Sequence, residues 1–107
     1  MENAEKERLH RQLCAVLASI EDPQAISRLL EDLCTYTEID QMGQRIECAR
    51  LLMEGNTYSQ IIEKTEISSA TLSRVSRCLQ RGAGGYRELL PPILSAGEGE
   101  TKKKPEK

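Results

Sequence analysis

The sequence has no tryptophan and no phenylalanine, and its three aromatic residues are all tyrosine. A core without the large aromatics must be assembled from Leu, Ile, Val, Met and Ala. Histidine occurs once, at His10, in a polar stretch where it reads as a solvated surface residue. The four cysteines, Cys14, Cys34, Cys48 and Cys78, are 20, 14 and 30 residues apart. These spacings match no zinc pattern, and one histidine cannot complete a common Cys/His set, so no metal site is expected. No Ser/His/Asp set, phosphate-binding glycine loop or paired-carboxylate signature is present, and the expectation is a non-enzyme without cofactor. No apolar run approaches the roughly 20 residues of a membrane span. Met1 to His10 is charged and carries no signal-peptide core. These absences predict a soluble, cytoplasmic chain whose cysteines are reduced, small apolar core residues.

What is present is 107 residues with 30% charged and 38% hydrophobic side chains, enough for one small domain. Domains of this size bury a modest fraction of their surface, so a partner chain is a natural source of further stability. Almost all of the sequence has helical periodicity. Leu9, Leu13, Val16, Leu17 and Ile20 share one helical face. Asp22-Pro23 ends that helix and starts another, Asp as N-cap and Pro at the first helical position, where its missing N–H costs nothing. The second helix carries Ile26, Leu29, Leu30, Leu33 and Cys34 on one face. Thr37 with Asp40 resembles a capping box, and Ile39, Met42, Ile46, Ala49 and Met53 then form a narrow seam suited to another helix. Gly55 is placed to end this long helix as a glycine just past its C-terminus.

Two short helices follow, and they carry the functional signal. Thr57 and Gln60 form a second capping box, and Tyr58, Ile61 and Ile62 mark about two helical turns. Glu66-Ile67-Ser68 is the break, and Ser68 or Ser69 caps the next helix, whose buried face is Leu72, Val75 and Leu79. Ile61, Ile67, Leu72 and Val75 have the spacing that locks a helix-turn-helix, over about residues 57–80. The outer face of the second helix is short, polar and basic, as entry into a major groove requires. The candidate DNA-binding residues are Ser59, Gln60, Ser68, Ser69, Ala70, Thr71, Ser73, Arg74 and Arg77. Short side chains let the helix backbone approach base edges, and arginine pairs with a guanine edge or a phosphate. Two positions depart from the usual motif: Glu66 stands at the turn glycine and Ile62 at the usual small residue of the first helix. The plainer reading is a helical hairpin with a solvated Ser/Arg face.

Charge distribution favours the DNA reading. The net charge is −2, yet residues 1–56 sum to −5 and residues 57–87 to +3. An acidic body with a basic head fits phosphate contact. With so few positive charges per head, tight binding needs two heads on one duplex. Gly82-Ala83-Gly84-Gly85 ends the second short helix, and Tyr86 is placed to tie the chain back to the body. Pro91-Pro92 forbids an ordinary helix interior. Ser95 to Lys107 has no apolar periodicity, so residues 87–107 are expected to be a largely disordered tail behind a domain spanning residues 1–86.

The blocks Leu30-Glu31-Asp32-Leu33-Cys34-Thr35, Gln44-Arg45-Ile46-Glu47, Leu51-Leu52-Met53-Glu54-Gly55-Asn56-Thr57-Tyr58, Ala70 through Leu79 and Gly84-Gly85-Tyr86 together resemble the Trp repressor-like superfamily, and within it the YerC/YecD branch. The resemblance covers roughly residues 8–86. It implies an all-α helical bundle with a helix-turn-helix, an intertwined homodimer, and a recognition helix from Ser69 to about Gln80 in the major groove, with Ser59 and Gln60 touching the DNA backbone or outer bases. It also implies a vestigial corepressor site. In the repressor, two arginines sandwich the indole of tryptophan, and Arg45 and Arg74 fall at their positions. Val75 stands where the repressor has glycine and Cys78 where it has serine, so added bulk and a weaker hydrogen-bonding group predict that tryptophan binds poorly. The leading expectation is a homodimeric, sequence-specific regulator of transcription, a repressor, bound to double-stranded DNA. The alternative is a helical interaction module, adaptor or antitoxin-like, in which the helix-turn-helix is only a scaffold.

Overall fold

The computed structural model describes residues 1–91. Among them every regular element is a helix: α1 (Asn3–Ala18), α2 (Pro23–Leu33), α3 (Tyr36–Met53), α4 (Tyr58–Lys64), α5 (Ser69–Arg81) and α6 (85–91). They divide into two compact units, one from Met1 to Ile39 and one from Asp40 onward.

In the first unit, α1 has no side-chain N-cap, and its first turns are braced by Arg8 on Glu5, with Nη2 to Oε2 at 2.7 Å. That bond holds the exposed Glu5 carboxyl below its ordinary range. The Ser19 hydroxyl closes the helix by donating to the Val16 carbonyl at 2.7 Å. The Asp22-Pro23 start of α2 is as expected: an Asp22 carboxylate oxygen accepts from the Gln24 N–H at 3.2 Å, with Pro23 in the first turn. Neither α1 nor α2 has a buried residue. Leu13, Val16 and Leu17 on the apolar face of α1 remain exposed, as does Leu33 on α2.

α3 begins two residues earlier than the Thr37/Asp40 pair predicts. The capping box is formed by Thr35 and Glu38: the Glu38 N–H donates to Thr35 Oγ1 at 3.0 Å, and a Glu38 carboxylate oxygen accepts from the Thr35 N–H at 2.8 Å. Glutamate three residues after threonine is long enough to reach back; the shorter Asp40 is not the partner used. The buried face of α3 also differs from the predicted seam. Cys48, Ala49 and Leu51 are buried, whereas Ile46, a seam position, is exposed. Beyond the helix, Gly55 adopts φ +97°, the left-handed conformation that ends a helix cheaply only at glycine.

The second unit holds the core. Cys48, Ala49 and Leu51 from α3, Ile61 from α4, Ile67 from the turn, and Leu72 and Val75 from α5 form one buried cluster. Leu52, Met53, Leu79, Tyr86 and Leu90 pack around it. The cluster is aliphatic, as a chain without Phe or Trp must make it. Of the four cysteines only Cys48 is buried; Cys34 and Cys78 are half-buried and Cys14 is exposed, so the expectation of four core cysteines fails at Cys14. Tyr86 and Leu90 belong to α6, so residues 87–91 are helical instead of the start of a disordered tail. Pro91, the last described residue, is itself helical. The remainder of the predicted tail lies outside the described residues. No described helix is long and apolar enough to cross a membrane.

Candidate nucleic-acid interface

The geometry of the helix pair is set by hydroxyl side chains at its joints. Thr57 accepts from the Gln60 N–H at 3.1 Å, and the Gln60 amide oxygen accepts from the Thr57 N–H at 2.8 Å, the capping box the sequence predicts. At the far end of α4, the Thr65 hydroxyl donates to the Ile61 carbonyl at 2.7 Å and accepts from the Ile67 N–H at 3.1 Å. Ser68 then caps α5, accepting from the Thr71 N–H at 3.1 Å and donating to Thr71 Oγ1 at 3.1 Å. Thr65 and Ser68 both have extended backbones, φ −134° and −73°. The chain thus turns on two hydroxyl anchors, with Ile67 buried between them, which is why Glu66 can occupy the position where glycine is usual.

Asn56 joins α3 to α4. Its side-chain amide and its backbone N–H both donate to the Leu51 carbonyl, at 3.0 and 3.1 Å, and its side-chain oxygen accepts from Lys64 Nζ at 3.0 Å. Nearby on α3, Arg50 bridges Glu47 at 2.6 Å and Glu54 at 2.8 Å. Its hydrogen bond to Glu47, supported by the charge of Glu54, raises its affinity for the proton further. Asn56 and Thr65 were not singled out from the sequence, although a threonine two residues before a buried isoleucine is a legible turn signal.

With these joints fixed, α5 is cleanly two-sided. Leu72 and Val75 are fully buried. Ala70, Ser73, Arg74 and Arg77 follow at helical spacing on the opposite face, all exposed, with Ser69 beside them in the first turn. Thirteen residues make a rod about 20 Å long. Arg74 and Arg77 form no hydrogen bond or ion pair among the described residues, so both guanidiniums are available. The other proposed contacts divide. Ser59 is exposed. Gln60 is exposed too, but its amide oxygen is engaged in the capping box. Ser68 is exposed, but its hydroxyl is committed to Thr71, which is itself half-buried.

The arginine pair implied by the resemblance also has a defined setting. Arg45 lies half-buried on α3 and Arg74 exposed on α5, and both guanidiniums act electrostatically on the phenol of Tyr86. Burial pushes that phenol above its ordinary value, an effect reinforced by the thiol of Cys78 and opposed by the two arginines. Val75 is core, as its apolar character suggests, and Cys78 is half-buried. Among the described residues no group of three or more His, Cys, Asp or Glu could hold a metal ion.

Comparison with known proteins gives the architecture its relatives. The family model for the Trp repressor protein matches residues 8–93. The protein YerC of Bacillus subtilis, itself uncharacterized, is 46% identical over 82 residues, covering 77% of this chain and 79% of that protein. The crystal structure of a TrpR-like protein from Eubacterium eligens superposes with a TM-score of 0.77 at 36% identity, covering 95% of this chain and all of that one. A candidate Trp repressor from Staphylococcus aureus gives 0.78 at 30% identity, covering 88% and 96%. The long aliphatic-cored helix set, the hydroxyl-jointed helix pair and these matches lead to one assignment: the chain belongs to the Trp repressor family.

Proposed function

We propose that the chain is a DNA-binding regulator of transcription, a cytoplasmic repressor that reads double-stranded DNA as a homodimer. The family it belongs to is one of regulatory proteins rather than enzymes. The observation that carries the proposal is the outer face of α5, where Arg74 and Arg77 stand exposed among Ser69, Ala70 and Ser73 with no internal partner among the described residues. A basic, short-chained face on a helix locked by aliphatic contacts suits the major groove, where arginine reads guanine or grips phosphate.

The first unit supports the dimer. A helix pair that buries none of its own residues leaves Leu13 40%, Val16 43% and Leu33 53% exposed. The same unit has an open groove of about 270 Å³, lined by Ile26, Leu30, Tyr36 and Ile39 among others. A second copy of the same surface covers this area and places two recognition helices on one duplex, with half-sites about 34 Å apart. Tryptophan is not the ligand we propose, because Val75 fills the position of the repressor's glycine.

The test is duplex binding under salt titration with Arg74→Ala and Arg77→Ala. Each lost phosphate contact lowers the salt slope by about 0.9, and each lost base contact costs about 1–3 kcal/mol. Unchanged affinity and slope in both variants would remove α5 as the recognition helix. Failure to bind any duplex at low salt, with stable capture of a protein partner, would favour the interaction-module reading instead.

A further inference from the structure

The basic stripe of α5 runs to the very end of the helix. Ala70, Arg74, Arg77 and Arg81 fall within about 60° of one another around the helix axis, opposite Leu72, Val75 and Leu79. Arg81 is exposed, and it forms no hydrogen bond or ion pair among the described residues. α5 contains no Asp or Glu, so no carboxylate on the helix itself interrupts the stripe. The neighbouring Gln80 is occupied elsewhere, its amide nitrogen donating to Ser76 Oγ at 3.4 Å.

The turn that carries Arg81 is held in place. A helix leaves its last four carbonyls without internal donors. Here the Cys78 carbonyl accepts from the Gly82 N–H at 2.8 Å, and the Leu79 carbonyl accepts from Arg87 Nε at 3.0 Å. Both bonds offset the negative end of the helix dipole, which would otherwise repel a phosphate. Gly82 makes the exit possible, because a Cβ there would meet the Cys78 carbonyl. Tyr86 and Leu90 pack on the core and so anchor the segment from which Arg87 reaches back.

Arg81 lies two helical turns beyond Arg74, about 10 Å along the axis, and about 16 Å beyond Ala70. The major groove is about 12 Å wide, and a recognition helix reads bases chiefly with its N-terminal residues. With Ser69 to Arg74 at the base edges, the last turn of α5 is carried past the groove floor to its rim, where phosphates run. We propose that Arg81 grips a phosphate at this rim, a sequence-independent contact made once per head by the C-terminal turn of α5. This deepens the reading of α5 as the recognition helix and rests on it. Arg81 supplies affinity and register, while the choice of bases stays with the N-terminal half of the helix.

Duplex binding under salt titration tests this on the full chain with two probes: the duplex that the wild type selects from a randomised pool, and an unselected duplex of equal length. Arg81→Ala is expected to lower the salt slope by about 0.9 per head on both probes and to keep the ratio of their affinities within about twofold of wild type. Arg81→Lys keeps a positive point charge and is expected to retain the slope. Arg74→Ala is expected to reduce the ratio by about fivefold or more. Phosphate ethylation interference locates the contact: one phosphate per half-site whose ethylation weakens the wild type should cease to matter to Arg81→Ala. Thermal unfolding of Arg81→Ala should match the wild type, because no described residue bonds to this side chain.

An unchanged slope in Arg81→Ala, beside a loss in Arg74→Ala, overturns the phosphate contact and leaves α5 as the reading helix. A loss confined to the selected duplex overturns it as well, because that marks a base contact. If the wild type binds no duplex in the pool, the reading of α5 fails and the role of Arg81 fails with it.

Discussion

At the residue scale, single hydroxyls do work that the motif usually gives to glycine. Thr65 both donates and accepts across the turn, so Thr65→Ala leaves the Ile67 N–H without its side-chain partner. Equilibrium urea unfolding should register a loss of about 1–2 kcal/mol, largely recovered by Thr65→Ser. Tyr86 and Cys48 give the chain a pH dependence of known sign. Burial raises the folded-state proton affinity of both groups, Tyr86 also feeling Cys78 against the opposing Arg45 and Arg74. The folded chain therefore holds more protons than the unfolded chain at alkaline pH, and stability must fall as pH rises. The contribution is full below about pH 8.5 and is lost progressively through and beyond about pH 10. Thermal unfolding from pH 7 to 11 should show this decline, and Tyr86→Phe should flatten its upper part. A melting temperature constant across the range would contradict the burial of these groups.

At the element scale, α5 depends on a cap at one end, two fully buried aliphatic residues, and a close-packed exit. Ser68→Ala removes the cap and should cost about 1 kcal/mol. Leu72→Ala empties a fully buried site and should cost about 2–5 kcal/mol, enough to unfold much of a marginal domain. Gly82→Ala should also destabilise, because the new Cβ meets backbone rather than a movable side chain. Chemical denaturation of the three variants ranks them. If Leu72→Ala proved the mildest, the assigned core would be wrong. Much at this scale was readable in the sequence. Asp22-Pro23, Thr57/Gln60, Ser68 and Gly55 announce helix ends because capping is local chemistry between residues a few positions apart. The start of α3 was misread because two Thr-x-x-acid pairs overlap, and only the backbone path shows that Thr35 and Glu38 meet.

At the scale of the whole molecule, apolar residues of α1 and α2 lie open to solvent while the buried core occupies α3 to α5 with the turn between them. Burial of a side chain such as Leu or Val is worth about 1.5–3 kcal/mol each, so covering Leu13, Val16 and Leu17 is a substantial driving force for association. Sedimentation equilibrium should find a dimer, and Leu17→Glu should shift it toward monomer and weaken duplex binding together. A strictly monomeric wild type would leave the exposed face of α1 for a different partner and would remove two-headed DNA reading.

Sequence alone determined the helix periods, the caps, the two-sidedness of α5 and the contrast between an acidic body and a basic head, because each depends on spacing along the chain. Tertiary structure decided which contacts between distant residues are made. It turned Cys48 rather than Ile46 inward and carried helix through residues 87–91. It also brought Tyr86 and Leu90 onto the core built from α3, α4 and α5. Such meetings depend on how helices pack in three dimensions, and no short-range pattern encodes them.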